Sequence, residues 1–224
     1  MCIRDSRIGI KRGTDLGISP LARHGRLIPG ENAENGMVKR IVFAGRPYLV
    51  PIGVFDPHKH ESGLLVAEHI ENTAADWAGR RVLEVGTGCG LIAGALHDAG
   101  AEVVASDISR FAIEAAKGNL AQTSVDLRRG DLFEAVHGEK FDTVVMNPPY
   151  EIGWSLRPRY RSPDVLERVA VEWQGVADKL VLAFPTDSAD LLDEVGFELH
   201  LTATLKSSGR ELGIFTSTGF VHRK

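Results

Sequence analysis

The feature that most restricts the fold is an alternation of short apolar runs and helical patterns that begins near residue 80. Arg81–Val85 predicts a strand, Leu91–Ala99 a helix ended by Gly100, Glu102–Ser106 a second strand and Arg110–Leu120 a second helix. Repeated strand–helix units build a parallel sheet with helices on both faces, because the crossovers share one hand. We therefore predict a doubly wound α/β domain.

The remaining elements extend this pattern and then change it. They are strands near Val125–Arg128, Phe141–Met146 and Lys179–Phe184, and helices over Asp164–Trp173 and Ser188–Val195. From Phe197 to Leu205 apolar and polar residues alternate, and Glu211–Thr216 follows the turn Ser207-Ser208-Gly209. Period-two alternation closed by a turn predicts an antiparallel hairpin. The expected fold is a Rossmann-like, mostly parallel, seven-stranded sheet that ends in this hairpin.

The first part of the chain is expected to be an N-terminal extension, residues 1–60, ahead of the main domain, residues 61–224. Residues 1–6 resemble a translated sequencing adapter and are assigned no function. Ile41–Phe43 and Tyr48–Val50 predict a small hairpin. A helix is predicted from Glu61 to about Ala75, with Ser62 as its cap.

Composition limits the classes of function. The net charge of −4 argues against a general nucleic-acid coat, because non-specific phosphate binding needs a basic surface. Two local basic stretches, Arg4–Arg26 and Trp154–Arg161, fit either a nucleic-acid contact or a solvated loop. No apolar run approaches the roughly 20 residues of a membrane span. The two cysteines form no disulfide framework, which favours a reducing cytoplasm.

A glycine-rich loop follows the first strand of the alternation. It runs from Glu84 through Gly86, Thr87 and Gly88 to Gly90 and opens a helix. Glycines permit a tight turn and a close approach of backbone to ligand, and exposed N–H groups at a helix start attract a carboxylate or phosphate. A turn with no ligand is the alternative interpretation.

Two acidic positions follow later strands. Asp107 ends the second strand, where a carboxylate can bind a ribose diol or cap the next helix. Asp131 and Leu132 follow the third strand, and together they offer an adenine one acceptor and one apolar wall. The nicotinamide fingerprint needs a glycine where Leu91 stands, so the spacing fits S-adenosylmethionine better.

The tetrapeptide Asn147-Pro148-Pro149-Tyr150 follows the strand that ends at Met146. Ligands of open α/β sheets bind at such carboxyl ends. Two prolines stiffen the turn and remove two backbone donors, which leaves carbonyl acceptors. Asn147 and the Pro148 carbonyl can accept the two N–H bonds of a flat NH2 group, and Tyr150 can cover its face.

In this order and spacing, these motifs resemble the class I S-adenosylmethionine-dependent methyltransferases of the small-domain group with the Asn-Pro-Pro-Tyr signature. That group includes glutamine methyltransferases of release factors and enzymes that methylate exocyclic amines of nucleic-acid bases. The resemblance implies an N-methyltransferase with a macromolecular substrate, RNA, DNA or protein. It also implies that Val54–Pro57 covers the cofactor.

The candidate residues follow from the motifs and the resemblance together. The acceptor site is expected at Asn147, Pro148 and Tyr150. The cofactor site is expected at Glu84, Gly86, Thr87, Gly88, Gly90, Asp107, Asp131, Leu132 and Asn147. A non-catalytic scaffold subunit and a dinucleotide oxidoreductase are the alternative functions.

Two other features point to weaker alternatives. His58 and His60 have no third ligand at a recognisable spacing, so a helix start is favoured over a metal site. Cys89 has no paired base in the sequence, which disfavours a nucleophile. The segment after Tyr150 also lacks the glycine-rich stretch usual in release-factor enzymes, so a glutamine substrate is not assured.

Overall fold

A computed structural model of the chain describes residues 38–149, 162–186, 197–204, 209 and 211–218. The described strands are β1 Val38–Phe43, β2 Arg46–Pro51, β3 Arg81–Val85, β4 Glu102–Asp107, β5 Asp126–Arg129, β6 Phe141–Met146, β7 Ala177–Pro185, β8 Glu198–Thr204 and β9 Glu211–Ser217. The described helices are α1 Pro57–His60, α2 Ser62–Asn72, α3 Ala74–Trp77, α4 Leu91–Asp98, α5 Arg110–Asn119 and α6 Ser162–Glu172.

Within the described residues, the main sheet has seven strands in the order β5-β4-β3-β6-β7-β9-β8. The first five are parallel, and β9 runs antiparallel to both β7 and β8. The predicted mostly parallel sheet with a terminal antiparallel hairpin is therefore confirmed. The predicted helix Ser188–Val195 lies outside the described residues.

The strand order reverses between β3 and β6, because β4 and β5 extend to one side and β7 to the other. The two central strands pair in parallel, with Val85 opposite Met146 at their carboxyl ends. The loops that leave these two strands therefore diverge from neighbouring points at one edge of the sheet. Such a reversal point is where open α/β sheets bind ligands.

Both faces of the sheet are covered by apolar packing. Neighbouring residues of one strand point to opposite faces, so Val82 belongs to one buried cluster and Leu83 to the other. The first cluster holds residues of α2 and α4, and the second holds Val165 and Val169 of α6. Helices on both faces confirm the predicted doubly wound arrangement.

The predicted N-terminal hairpin is present as β1 and β2. Its two-residue turn places Ala44 and Gly45 at positive φ, the geometry that matches the twist of a hairpin. Its inward side chains, including Tyr48 and Phe43, belong to the same buried cluster as α2 and α4. The hairpin thus packs into the main core, while the boundary at residue 60 stays a prediction.

Among the described residues, no helix combines the length and the apolar character needed to cross a membrane.

Candidate functional site

A cavity of about 350 Å³ opens at the carboxyl ends of β3, β4 and β6. Most of the predicted site residues that the structure describes line it: Gly86, Thr87, Gly88, Asp107, Asp131, Leu132, Asn147 and Pro148. Glu84 and Gly90 are not in its wall. Tyr150 and the basic stretches Arg4–Arg26 and Trp154–Arg161 lie outside the described residues, so their roles stay predictions.

The glycine loop is held by its own hydrogen bonds. The N–H groups of Gly86 and Thr87 donate to the Ser106 carbonyl, and that of Gly90 donates to the Thr87 carbonyl. The N–H of Gly88 donates to Asp107 Oδ2 at 3.0 Å. These four amides are thus engaged within the fold, and the binding of a cofactor carboxylate by the loop stays a prediction.

The glycines of this loop serve two different purposes. Gly86 has φ of +82°, and a Cβ built on it would meet no atom within 4 Å, because that side faces the open cavity. Gly90 also has positive φ, but its Cβ would lie 2.8 Å from the Leu120 side chain. The absence of a side chain at Gly86 therefore leaves the cavity open at this point, whereas Gly90 allows the loop to pack on α5. The predicted contact of Gly90 with a cofactor stays a prediction.

Glu84 lies fully buried under the loop, and Thr87 Oγ1 donates to its Oε2 at 2.7 Å. Burial is the main cause that raises the pKa of Glu84 to about 8; the hydrogen bond from the Thr87 hydroxyl opposes this rise, and the nearby charge of Asp107 adds to it. Because Glu84 is beneath the loop rather than in the cavity wall, its position is a supporting one. The sequence alone did not separate these two roles.

Asp107 lies at the end of β4, where the sequence suggests either a contact with a ribose or a cap of the next helix. Its Oδ1 accepts from the Ser109 N–H at 2.8 Å, and its Oδ2 accepts from Gly88. The cap of α5 itself is Ser109, whose hydroxyl accepts from the Ala112 N–H. Burial raises the pKa of Asp107. Each carboxylate oxygen keeps further acceptor capacity toward the cavity that Asp107 lines.

The strand β5 leads into the opposite wall of the cavity. Leu132 is buried there and has φ of +49°, an uncommon conformation for a residue with a side chain. The neighbouring Asp131 carboxylate is engaged by Arg168 of α6, with Nη1 at 3.1 and 3.3 Å from its two oxygens. The apolar wall is therefore in place, and an adenine contact of Asp131 stays a prediction.

Asn147 follows β6 and points one end of its amide at Ser62, the first residue of α2. Its Nδ2 donates to Ser62 Oγ at 3.0 Å. Its Oδ1 is buried and has no hydrogen-bond partner in the described structure. A buried acceptor without a partner is costly, so this atom is available to a ligand that brings a donor.

Ser62 and Asn119 are site residues that the sequence reasoning missed. Ser62 was expected to cap α2, but that prediction is wrong: the cap position is Glu61, with φ of +55°, and the serine hydroxyl turns to Asn147. The Asn119 Nδ2 donates to the Cys89 carbonyl of the glycine loop at 2.8 Å. No local spacing signals either contact, because the partners are 85 and 30 residues apart.

Two features that the sequence disfavours are a metal site at His58 and His60 and a nucleophile at Cys89. Pro57–His60 forms the short helix α1, and the His60 ring stacks on Phe55 with centroids 4.9 Å apart. In the described part of the chain, no group of three His, Cys, Asp or Glu residues is arranged to hold a metal ion. Burial raises the pKa of the Cys89 thiol to about 12, which keeps it in its unreactive protonated form.

Comparison with known proteins extends this description. Residues 50–160 match the family model of the methyltransferase small domain. This segment of the chain is therefore similar to the methyltransferase small domain. It includes β3 to β6, most of the cavity wall and Asn147.

Curated relatives of this chain are named for different macromolecules. A release factor glutamine methyltransferase of Agrobacterium fabrum is 33% identical over 154 residues, which are 62% of this chain and 50% of the relative. A tRNA1(Val) (adenine(37)-N6)-methyltransferase of Bacteroides thetaiotaomicron is 30% identical over 156 residues, which are 62% of this chain and 64% of the relative. The chain thus spans less than two thirds of either relative.

Among solved structures, the 16S rRNA N2 G1207 methyltransferase of T. thermophilus, in complex with AdoMet and guanosine, superposes with a TM-score of 0.60. The match covers 82% of this chain and 50% of that one, at 20% identity. At this identity the likeness shows a shared fold.

Proposed function

We propose that this chain is an S-adenosylmethionine-dependent N-methyltransferase that acts on the NH2 group of a planar amine or amide in a macromolecule. The observation that carries the proposal is the buried Oδ1 of Asn147, which has no partner in the described structure and belongs to a residue that lines the cavity. An acceptor of this kind suits a substrate that presents an N–H donor. Similarity to the methyltransferase small domain supports methyl transfer over a dinucleotide oxidoreductase or a scaffold role.

The residues around the cavity fit S-adenosylmethionine. Gly86 leaves space at the loop, Asp107 offers spare acceptor capacity for a ribose hydroxyl, and Leu132 forms an apolar wall for an adenine. Asp131 lies beside that wall. When bound, the cofactor supplies an electrophilic methyl group on a positively charged sulfur.

The acceptor side follows from Asn147 and the corner that Pro148 makes. The nitrogen of an amide or aromatic amine is a poor nucleophile, because its lone pair is delocalised. Hydrogen bonds from its two N–H groups to Asn147 Oδ1 and the Pro148 carbonyl favour a pyramidal nitrogen, which matters most in the transition state. With the cofactor bound, Asn147 and the Pro148 carbonyl would hold the nitrogen while it accepts the methyl group, and the proton released from the nitrogen would pass to water.

The relatives support an NH2 group as the shared acceptor. Their names specify glutamine, the N6 of adenine and the N2 of guanosine, and each of these nitrogens is bonded to a trigonal carbon. The shared chemistry is therefore a flat NH2-bearing group, presented by protein in one case and by RNA in the others. Tyr150 is proposed to cover the face of this group.

The test is transfer of a radiolabelled methyl group from S-adenosylmethionine to RNA, DNA and protein fractions of a cell extract. Mass spectrometry of the labelled fraction then distinguishes methylated nucleosides from methylglutamine. We expect label in one fraction with the native chain, and roughly 10²- to 10³-fold slower transfer with Asn147→Ala, as for loss of one preorganised hydrogen bond. Glu114→Gln, a change on the exposed face of α5, is the matched control. Absence of transfer by the native chain, or an unchanged rate in Asn147→Ala, would overturn the proposal.

A further inference from the structure

We infer that Ser62 is a positioning residue that sets the orientation of the Asn147 amide toward the methyl acceptor. The inference rests on the proposed function, since it assigns Asn147 Oδ1 to the substrate. It adds a residue from α2, outside the motifs at the strand ends.

The contact itself is specific and dry. Ser62 has no exposed surface, and its Oγ accepts from Asn147 Nδ2 at 3.0 Å. Because the amide is planar, a bond at Nδ2 directs Oδ1 away from Ser62, and Oδ1 is the buried atom without a partner. The Ser62 hydroxyl oxygen accepts from Nδ2, so it favours the orientation in which Oδ1 is left for an incoming NH2 group.

The backbone around Ser62 is shaped for this close approach. Glu61, the preceding residue, has φ of +55°, which is costly for a residue with a side chain and brings the start of α2 to the cavity. The following residue is Gly63, where a Cβ would lie 3.4 Å from Pro57 Cβ and 3.8 Å from Asn147 Nδ2. These distances show that the start of α2 lies against the exit of β6.

The kinetic test compares Ser62→Ala with Ser62→Thr, which keeps the hydroxyl. We expect Ser62→Ala to lower kcat by about tenfold, the equivalent of one neutral hydrogen bond, with KM and the affinity for S-adenosylhomocysteine unchanged. Ser62→Thr should restore most of kcat. Ser217→Ala removes the hydroxyl of another buried serine that does not line the cavity, and it should retain native kcat. A native kcat in Ser62→Ala would overturn the inference.

A double-mutant cycle separates positioning from general damage. If Ser62 acts through Asn147, Ser62→Ala should cost nothing further in an Asn147→Ala background. Equal losses in both backgrounds would show that the serine acts by another route and would contradict the inference.

An NMR measurement keeps the inference separate from the proposed function. In the native chain the Asn147 side-chain NH2 protons should exchange slowly with solvent, and Ser62→Ala should speed their exchange. If the native chain transfers no methyl group, the proposed function fails. If the Asn147 NH2 protons exchange at the same rate in Ser62→Ala as in the native chain, the positioning role fails, whatever the result for methyl transfer. Faster exchange in Ser62→Ala would support the hydrogen bond from Asn147 to Ser62 as the contact that fixes this amide.

Discussion

The side chain of Asn119 binds both backbone groups of Leu49, in the manner of a neighbouring strand. Its Oδ1 accepts from the Leu49 N–H at 2.8 Å, and its Nδ2 donates to the Leu49 carbonyl at 2.9 Å. The same Nδ2 donates to the Cys89 carbonyl. One side chain at the end of α5 therefore joins the N-terminal hairpin to the glycine loop.

Asn119→Ala removes all three of these hydrogen bonds, so we expect it to lower the free energy of unfolding by about 1–3 kcal/mol. The affinity for S-adenosylhomocysteine should also fall, because the loop loses one of its anchors. Urea unfolding and calorimetric titration measure the two effects. Lys117→Ala, which breaks only an exposed pair with Glu114 on the same helix, should change neither. Native stability in Asn119→Ala would show that the hairpin docks without this side chain.

Asp107→Ala should weaken binding of S-adenosylhomocysteine by about 1.5–3 kcal/mol, the contribution of a hydrogen bond to a charged group. The loss has two sources, because the carboxylate both lines the cavity and receives the Gly88 N–H. Asp107→Asn keeps one acceptor and should bind between the native chain and Asp107→Ala. Isothermal titration gives the three affinities, and a native value for Asp107→Ala would remove the residue from the site.

Glu84→Gln should make stability less dependent on pH. The pKa of Glu84 rises from its ordinary value of 4.5 to about 8 on folding. Between these pH values the folded protein holds a proton that the unfolded chain has released, so the free energy of unfolding falls as pH rises. The stabilisation by the protonated form is complete below about pH 4.5 and is lost as pH passes about 8.

The measurement for Glu84 is urea unfolding at a series of pH values from about 4.5 to 9. The native chain should lose stability relative to Glu84→Gln across this range, since glutamine keeps the shape and an acceptor for Thr87 but does not titrate. Parallel stability curves for the two proteins would mean that the buried carboxyl is not protonated in the fold.

Gly86→Ala and Gly90→Ala form a matched pair, because both glycines have positive φ but different surroundings. Each alanine should lose about 1–2 kcal/mol of stability from the backbone conformation alone. Gly90→Ala should lose about 1–3 kcal/mol more, because its methyl group meets Leu120. Gly86→Ala should instead show its larger effect on cofactor affinity. Thermal unfolding and titration distinguish these outcomes, and equal stability losses in the two variants would contradict the assignment.

Local periodicity predicted most of the fold. The strands Arg81–Val85 and Phe141–Met146 were predicted with the bounds that they have, and β4 and α4 differ from their predictions by one residue each. Such elements carry their own apolar pattern, so their neighbours are not needed to find them. The helix expected to run from Glu61 to Ala75 ends at Asn72 instead, and a separate short helix, α3, follows from Ala74.

The site was predictable where it depends on strand ends. Asp107 ends β4 and Asn147 follows β6, and these two parallel strands lie on either side of β3. This topology brings both residues to one cavity. The contacts of Ser62 and Asn119 were not predictable, because they join residues 85 and 70 positions apart through side chains with no repeating pattern. The same limit applies to Glu84, whose acidic side chain reads as a ligand contact until its burial is known.

The pairing of Val85 with Met146 has a consequence for protein engineering. Adjacent strands are held about 4.8 Å apart. The pairing of β3 with β6 therefore sets the distance between the proposed cofactor site, which follows Val85, and the proposed acceptor site, which follows Met146. Under the proposed function, changes in the loops that follow these strands would leave this spacing unchanged, because it is built into the two central strands.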